Sequence, residues 1–555
     1  MSDSKKKKSV IIISVIAVIL LTCTAVFAIV PAIKNVAISK KSPNDYLKYT
    51  VTEKSSVSEE IADSIDNFKK ILSGDVDISL NAQVERGEGL AQFLELTGIA
   101  TQAEIKEKTG WFDTFELSLV SARDHGLSGL KADTSLNGKD IVSADSVLDT
   151  SSFAAYATIN EISSESLRYD LNDSDPFLAA FALVLSRLDE LSEALPDEDA
   201  TERIIDRYLD IFFSGLSSVT KEEGTLKVGD ISQKCTVTTV NLPYDDMYAI
   251  AMKILETAKD DEELKSAVSP LMTFAKNTVS DYLEAQNASP ITKAVVLAAL
   301  EPSMIDFYLG SAKTSLEAAD ATGILRYEDE VLVKLWTDSN HEIIGISYTV
   351  NDRERFAARS ASKGKSFNDE VVIQVEDVPI TVMSGSGTVS RGKKNGVYAI
   401  GINSEYIKAE LRDFDIEKWT DDGQLTGTII LEVGKNLPES VLNSNFSEDI
   451  AQVIKDCSLT LNFEHSIFVK SSSEVILSHK KTPVLGVNFT AGLASGGKLS
   501  VPEKSYCINS GEFGAYMKNA NPDKVISNLR SANVPDEILT FIGNGFASAK
   551  ADTVS

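Results

Sequence analysis

Cysteine, histidine and tryptophan are scarce in this chain: four, four and three among 555 residues. Cys23 lies in an apolar run, and Cys235, Cys457 and Cys507 stand far apart, which excludes a disulfide framework and any CxxC metal spacing. A single Cys457–Cys507 bridge is left open. Stability must come mainly from apolar cores. His125, His341, His465 and His479 show no ligand-like spacing. His125 and His341 fall at turns, where a solvated ring is expected. No GxSxG elbow is present. Ser384-Gly385-Ser386-Gly387 lacks the lysine-serine ending of a phosphate loop and reads as a bulge or turn between strands. Asp413, Asp415, Asp421 and Asp422 invite a calcium reading, but they miss the EF-hand spacing, and Gly423 suits a plain turn. Trp111, Trp336 and Trp419 are too scattered for a sugar-stacking platform. No catalytic, cofactor-binding or metal residue is named by these patterns, so a non-enzymatic protein without a cofactor is expected.

Charge is abundant but unevenly placed. Residues 1–41 hold one acid, Asp3, and seven lysines; the rest of the chain carries 81 acids against 47 bases, a net of −34. Such a surface repels nucleic acid and anionic lipid at long range, so both are poor partners for this region, and no nucleic-acid partner is expected. Lys5–Lys8 precede an uncharged stretch from Ser9 to Ile33. A helix needs about 20 apolar residues to cross a bilayer, and the flanking lysines orient its start toward the cytoplasm. The segment is longer than the apolar part of a cleaved signal peptide, although Val26-Phe27-Ala28 resembles a cleavage site. The expectation is a single-pass cell-membrane protein with a cytoplasmic tail (1–9), an anchor (10–33) and a stalk with a short helix (34–73), its remainder lying outside the cytoplasm. Arg353, Arg355, Arg359, Lys363, Lys365, Arg391, Lys393 and Lys394 form a locally basic tract. Solvated strand edges explain it most simply; a docking patch for an acidic wall polymer or partner is the sharper reading.

Beyond about Asp75 the hydrophobic period is two. Phe115, Leu117 and Leu119 alternate with polar residues, and Asn137-Gly138 supplies a hairpin turn. Helical spacing takes over after Asp175-Pro176. Further helices follow at Ile204–Phe212 and Met247–Ala258, and between Glu262 and Leu300. Strands return after Thr322 and recur to about Leu499, with a helix near Glu448–Lys455 and two more from Pro522 and Pro535. This order predicts an α+β fold: two tandem units (74–301 and 302–555), each an antiparallel meander with helices packed on one face.

Leu136–Asp149, Lys234–Leu242 and Leu411–Ile416 resemble segments of uncharacterised membrane-anchored surface proteins of clostridia-type Gram-positive bacteria. That resemblance implies architecture and no site residues. In architecture alone, the meander followed by helices also resembles lipoprotein carriers of the LolA and LppX type, which hold an acyl chain between a curved sheet and its helices. Two functions compete, the first the expectation and the second its alternative. One is an envelope scaffold or interaction protein with an envelope-protein or wall-polymer partner; the other is a lipid or lipophile carrier with a cavity between curved sheet and helices.

Overall fold

Period-two segments of the sequence form strands, and segments with capping residues form helices. The computed structural model describes residues 41–552 apart from 54–56, 74–76, 97–100, 125–126, 150–151, 172–182, 185–186, 286–287, 324–325, 328, 376–377, 404, 416–424, 439–447, 467–469 and 495–498. The tail at 1–9, the expected anchor at 10–33 and the start of the stalk lie outside the described residues, as do Cys23, His125, Trp419, Asp421 and Asp422. Among the described residues no single helix is long and apolar enough to cross a membrane; the bent pair Pro290–Ala299 and Pro302–Ala321 passes by length and composition alone.

The described chain starts with α1 (Pro43–Lys48), a π-helical turn (Tyr49–Glu53) and α2 (Val57–Ser73). Then come β1 (Asp77–Arg86), α3 (Leu90–Leu96) and α4 (Gln102–Thr109). A meander follows: β2 (Thr114–Asp124), β3 (Leu127–Leu136), β4 (Lys139–Asp149), β5 (Ala154–Ile159) and β6 (Ser166–Asp170). Helices α5 (Leu188–Ala194) and α6 (Glu198–Gly215) lead to the hairpin β7 (Ser218–Val228) and β8 (Ile231–Asn241). The central helices are α7 (Tyr244–Asp260), α8 (Glu262–Ala285), α9 (Pro290–Ala299) and α10 (Ile305–Ala321). The second run of strands is β9 (Val331–Thr337), β10 (Ile343–Val350), β11 (Arg353–Lys363), β12 (Ser366–Val375), β13 (Val378–Ser390), β14 (Lys393–Ile400), β15 (Ile407–Asp415) and β16 (Thr426–Val433). After α11 (Glu448–Lys455) come β17 (Cys457–Ser466), β18 (Lys470–His479), β19 (Thr482–Ala494) and β20 (Ser505–Cys507). Helices α12 (Phe513–Asn519), α13 (Asp523–Ser531) and α14 (Asp536–Asp552) finish the described chain.

The fold is α+β with extensive antiparallel pairing, and its two compact units interleave along the chain. The first unit draws on Met1–Asp66, Leu195–Met272 and Glu301–Pro438; the second on Asn67–Ala194, Thr273–Leu300 and Glu439–Ser555. Consecutive stretches divided at 301/302 are therefore not these units. The physical reason is long-range pairing: β1 takes β19 as a neighbour, Asp77 opposite Ala494, and β8 takes β9 across the central helices.

In the first unit β7 to β16 pair in sequence order, every pair antiparallel. Helices α1, α6 and α7 cover one face of β8–β11, burying Leu47, Phe213, Val240, Ile250, Leu335 and Ile346 together. The tip of the β7–β8 hairpin folds across the other face, where Leu226, Val228, Ile231 and Cys235 meet Ala361 and Trp336. Residues 43–53, expected as stalk, belong to this core. The Asn44 amide donates to the orphan carbonyls of Phe213 (3.1 Å) and Leu216 (2.8 Å) at the end of α6. The buried Tyr46 hydroxyl bonds Thr337 Oγ1 (2.7 Å) and His341 Nδ1 (2.9 Å). His341 is thus buried rather than solvated, because a partner 295 residues away lies over its turn.

In the second unit the pairing runs β17–β18–β19–β1–β2–β3–β4–β5–β6, all antiparallel, and β20 adds to β6 in parallel. The Asn137-Gly138 turn forms as read, with φ of 51° and 70°. Its Asn137 amide donates to Trp111 O and Ala532 O, which ties the turn to the C-terminal helices. There Leu136 and Ile141 pack with Val525, Ala532, Val534 and Leu539.

Candidate functional site

The middle of the second unit's sheet has one polar and one apolar face. Along β1, Ser79, Asn81, Gln83 and Glu85 alternate with Ile78, Leu80, Ala82 and Val84. Register carries each set straight across the sheet. One row reads Leu461, Val475, Val487, Val84, Phe115 and Leu136 from β17 to β3; the next reads Phe463, Ser473, Phe489, Ala82, Leu117 and Thr134. A third row places Ala491, Leu80, Leu119 and Ala132 side by side. On the polar face the Asn462 amide donates to Glu474 (2.6 Å).

Away from Leu136, which the C-terminal helices cover, the apolar face is partly open. Ile78 is 40% exposed, Leu80 41%, Phe115 37%, Leu130 45% and Phe489 41%, whereas the intervening Ser79 and Asn81 are only partly exposed. Ala82, Val84, Leu117, Leu119 and Val487 are half-buried. By contrast, on the helix-covered face of the first unit Leu335 is 3% exposed. Strands about 4.8 Å apart with about 3.3 Å of rise per residue give the open face an extent on the order of 500 Å². That lies among the largest apolar patches of soluble monomers, which are often functional. It offers aliphatic groups and phenyl rings; the titratable group within Ile78–Val84, Phe115–Leu119 and Val487–Phe489 is Glu116, on the polar face. Such a surface can bind by apolar contact. The alternation of Phe115, Leu117 and Leu119 was legible in the sequence; their partial exposure was not, since alternation looks the same whether or not a layer covers it.

The glycine-rich segment lies inside β13, in the first unit, as neither a turn nor a phosphate loop. Asp369, Gly385, Tyr398 and Ala409 form one cross-strand row. The Tyr398 ring lies over Gly385, where a Cβ would come within 2.2 Å of it, and its hydroxyl donates to Asp369 Oδ2 (2.6 Å). Phe367 likewise lies against Gly396, across Gly387. Glycine is required because two aromatic rings use the space side chains would take. Gly385→Leu is expected to lower stability by about 2–3 kcal/mol, read from the denaturant midpoint.

Two members of the basic tract are neutralised on the sheet, not solvated. Arg359 bonds Glu354 and Glu370 and lies over the Trp336 ring. Lys394 bonds Asp369 and sits 4.1 Å from the Phe367 ring centre. Ser360 Oγ also donates to Asp369 (2.6 Å). Burial, reinforced by the Asp369 carboxylate, pushes the Tyr398 phenol far above its ordinary pKa. Removing one charge strands the other. Lys394→Met is expected to cost about 3 kcal/mol, and the double change with Asp369→Leu to recover most of that loss in chemical denaturation. An open pocket of about 220 Å³ adjoins this network, lined by Ile344, Ile346, Ala358, Asp369 and Lys394.

A larger open cleft of about 790 Å³, lined by α7 and by residues of α6, α8 and α10, is charged; in it Arg207 pairs with Asp261 and Glu263, and Lys313 with Glu256 (2.8 Å). His479 is buried, 3.9 Å from Asp456 and edge-on to Phe93. Cys457 and Cys507 are free thiols. Within β15, beside a register shift with β14, Asp413 has a positive φ of 47° and its amide N–H donates to Asn395 Oδ1; Asp415 is buried. Among the described residues no group of three or more His, Cys, Asp or Glu is placed to hold a metal ion. Neither a known protein family, nor a curated protein, nor a solved structure matches this chain.

Proposed function

We propose that this is a membrane-anchored, extracytoplasmic, non-enzymatic protein of the bacterial cell envelope that holds a lipophile against the open apolar face of its second unit. The observation that carries this reading is the half-bare set of Ile78, Leu80, Phe115, Leu130 and Phe489 on one face of paired strands. Protein-docking patches concentrate Tyr, Trp, Phe, Arg and Met, of which the central rows of this face hold Phe alone. The central rows of this face offer Leu, Ile, Val, Ala and Phe, a composition suited to hydrocarbon. An uncharged N-terminal run after four lysines would keep the face near a supply of lipid.

The scaffold reading is favoured by a different feature: α10 exposes the adjacent rings of Phe307 and Tyr308, an aromatic pair of the kind protein partners use. Native mass spectrometry of residues 42–555, produced by secretion, separates the two. Extra mass that organic solvent removes, and that analyses as lipid, is the expected result. A bare monomer mass unchanged by membrane extract turns the search to protein partners at α10.

A further inference from the structure

The open face ends on an arginine. The alternation that turns Phe115, Leu117 and Leu119 to this face carries on through Ser121 to Arg123, and pairing with β3 is unbroken up to Arg123 opposite Ser128. The Arg123 Nη2 donates to Asp189 Oδ1 of α5 (2.8 Å), while its Nη1 is covered and has no hydrogen-bond partner among the described residues. Asp189 is itself mostly exposed, and an ion pair of that kind contributes little. The neighbouring charges are already matched: Arg187 holds both Glu190 and Asp281. A guanidinium with an unmet donor at the edge of an apolar surface favours an anion, since charge-assisted hydrogen bonds gain strength where water is thin. Arg86, at the opposite end of β1, also has a covered nitrogen without a hydrogen-bond partner among the described residues and pairs with Asp113 (2.5 Å).

Length fits as well. From Arg123 to Phe115 is eight residues of strand, about 27 Å. One leaflet of a bilayer accommodates its acyl chains in about 15 Å. A chain lying along β2 from a head group at Arg123 would stay on the face throughout.

We infer that the lipophile is an anionic amphiphile, its hydrocarbon chain on Leu80, Leu117, Leu119 and Phe489 and its carboxylate or phosphate head at Arg123; this rests on the lipophile reading above. The last torsions of the Arg123 side chain turn Nη1 toward the ligand as the weak pair with Asp189 is given up. The acidity of the protein opposes the approach of free anions, but an amphiphile arriving from a membrane is driven by its chain.

The test uses the full chain in phosphatidylcholine vesicles with diazirine-bearing hexadecanoate, hexadecyl phosphate and hexadecanol. Labelled peptides are then mapped. At least one acidic probe is expected to label β1 and β2 roughly tenfold more than hexadecanol, the worth of a charged hydrogen bond; the stronger of the two names the head group. Arg123→Gln should reduce acidic labelling to the hexadecanol level and leave hexadecanol labelling in place. Asp189→Asn, which keeps the arginine and removes its competitor, should raise it. Equal labelling by all three probes, or no change in Arg123→Gln, overturns this inference alone. No labelling of the face by any probe overturns the lipophile reading with it.

Discussion

Cut between Leu300 and Glu301, the chain is expected to yield two pieces that do not fold alone. The N-terminal piece keeps β1 without β19 and β8 without β9. It also holds Phe213, Val240 and Ile250 without Leu335 and Ile346, which complete their core from the other piece. Each piece would expose strand edges and half of a core, and burying a single large side chain is worth about 1.5–3 kcal/mol. Net stability of a domain is only about 5–15 kcal/mol, so losses at several such residues abolish it. The expected result is the absence of a cooperative thermal transition in either piece and its recovery when the two are co-expressed. A sharp transition in one piece alone would show that the units are consecutive after all. Pairings over such sequence distances are also expected to make folding slow, since loop closure precedes any contact that rewards it.

The second large effect is on ligand binding. Leu80→Glu and Phe489→Lys each place a charge where hydrocarbon is proposed to lie. Because both side chains are already about two-fifths exposed, stability should change by no more than about 0.5–1 kcal/mol. Retention of a lipophile should fall by about a hundredfold or more, because the ligand must now desolvate a charge and loses apolar contact. Leu335→Lys is the contrast: at 3% exposure it should unfold the first unit. If Leu80→Glu and Phe489→Lys prove as destabilising as Leu335→Lys, the face is a closed core and no ligand is required.

Local pattern was legible; long-range context was not. The hairpin at Asn137-Gly138, the strands around Phe115 and Ile344, the helix from Met247 to Ala258 and the short helix at Glu448–Lys455 all follow from period and turn chemistry confined to a few residues. The role of Gly385 depends on Tyr398 and Asp369, which only the register of three strands brings together. His341 looked solvated because its turn is polar, yet Tyr46 arrives from the far end of the chain to bury it. The interleaving of the units and helices α10 and α12 escaped for related reasons. Strand alternation does not say which strand comes next in space, and α12 is only seven residues long. The candidate site was half legible: its composition could be read, its openness could not.

The most direct test is thiol reactivity at the face itself. Leu80→Cys and, on the opposite face, Asn81→Cys would be alkylated with a small maleimide before and after incubation with membrane lipid, each site followed by peptide mass. An open face that takes up a lipophile predicts rapid alkylation of Cys at position 80 in delipidated protein, marked protection after lipid, and no lipid effect at position 81. A position 80 thiol that is unreactive throughout, or equally reactive with and without lipid, contradicts the account.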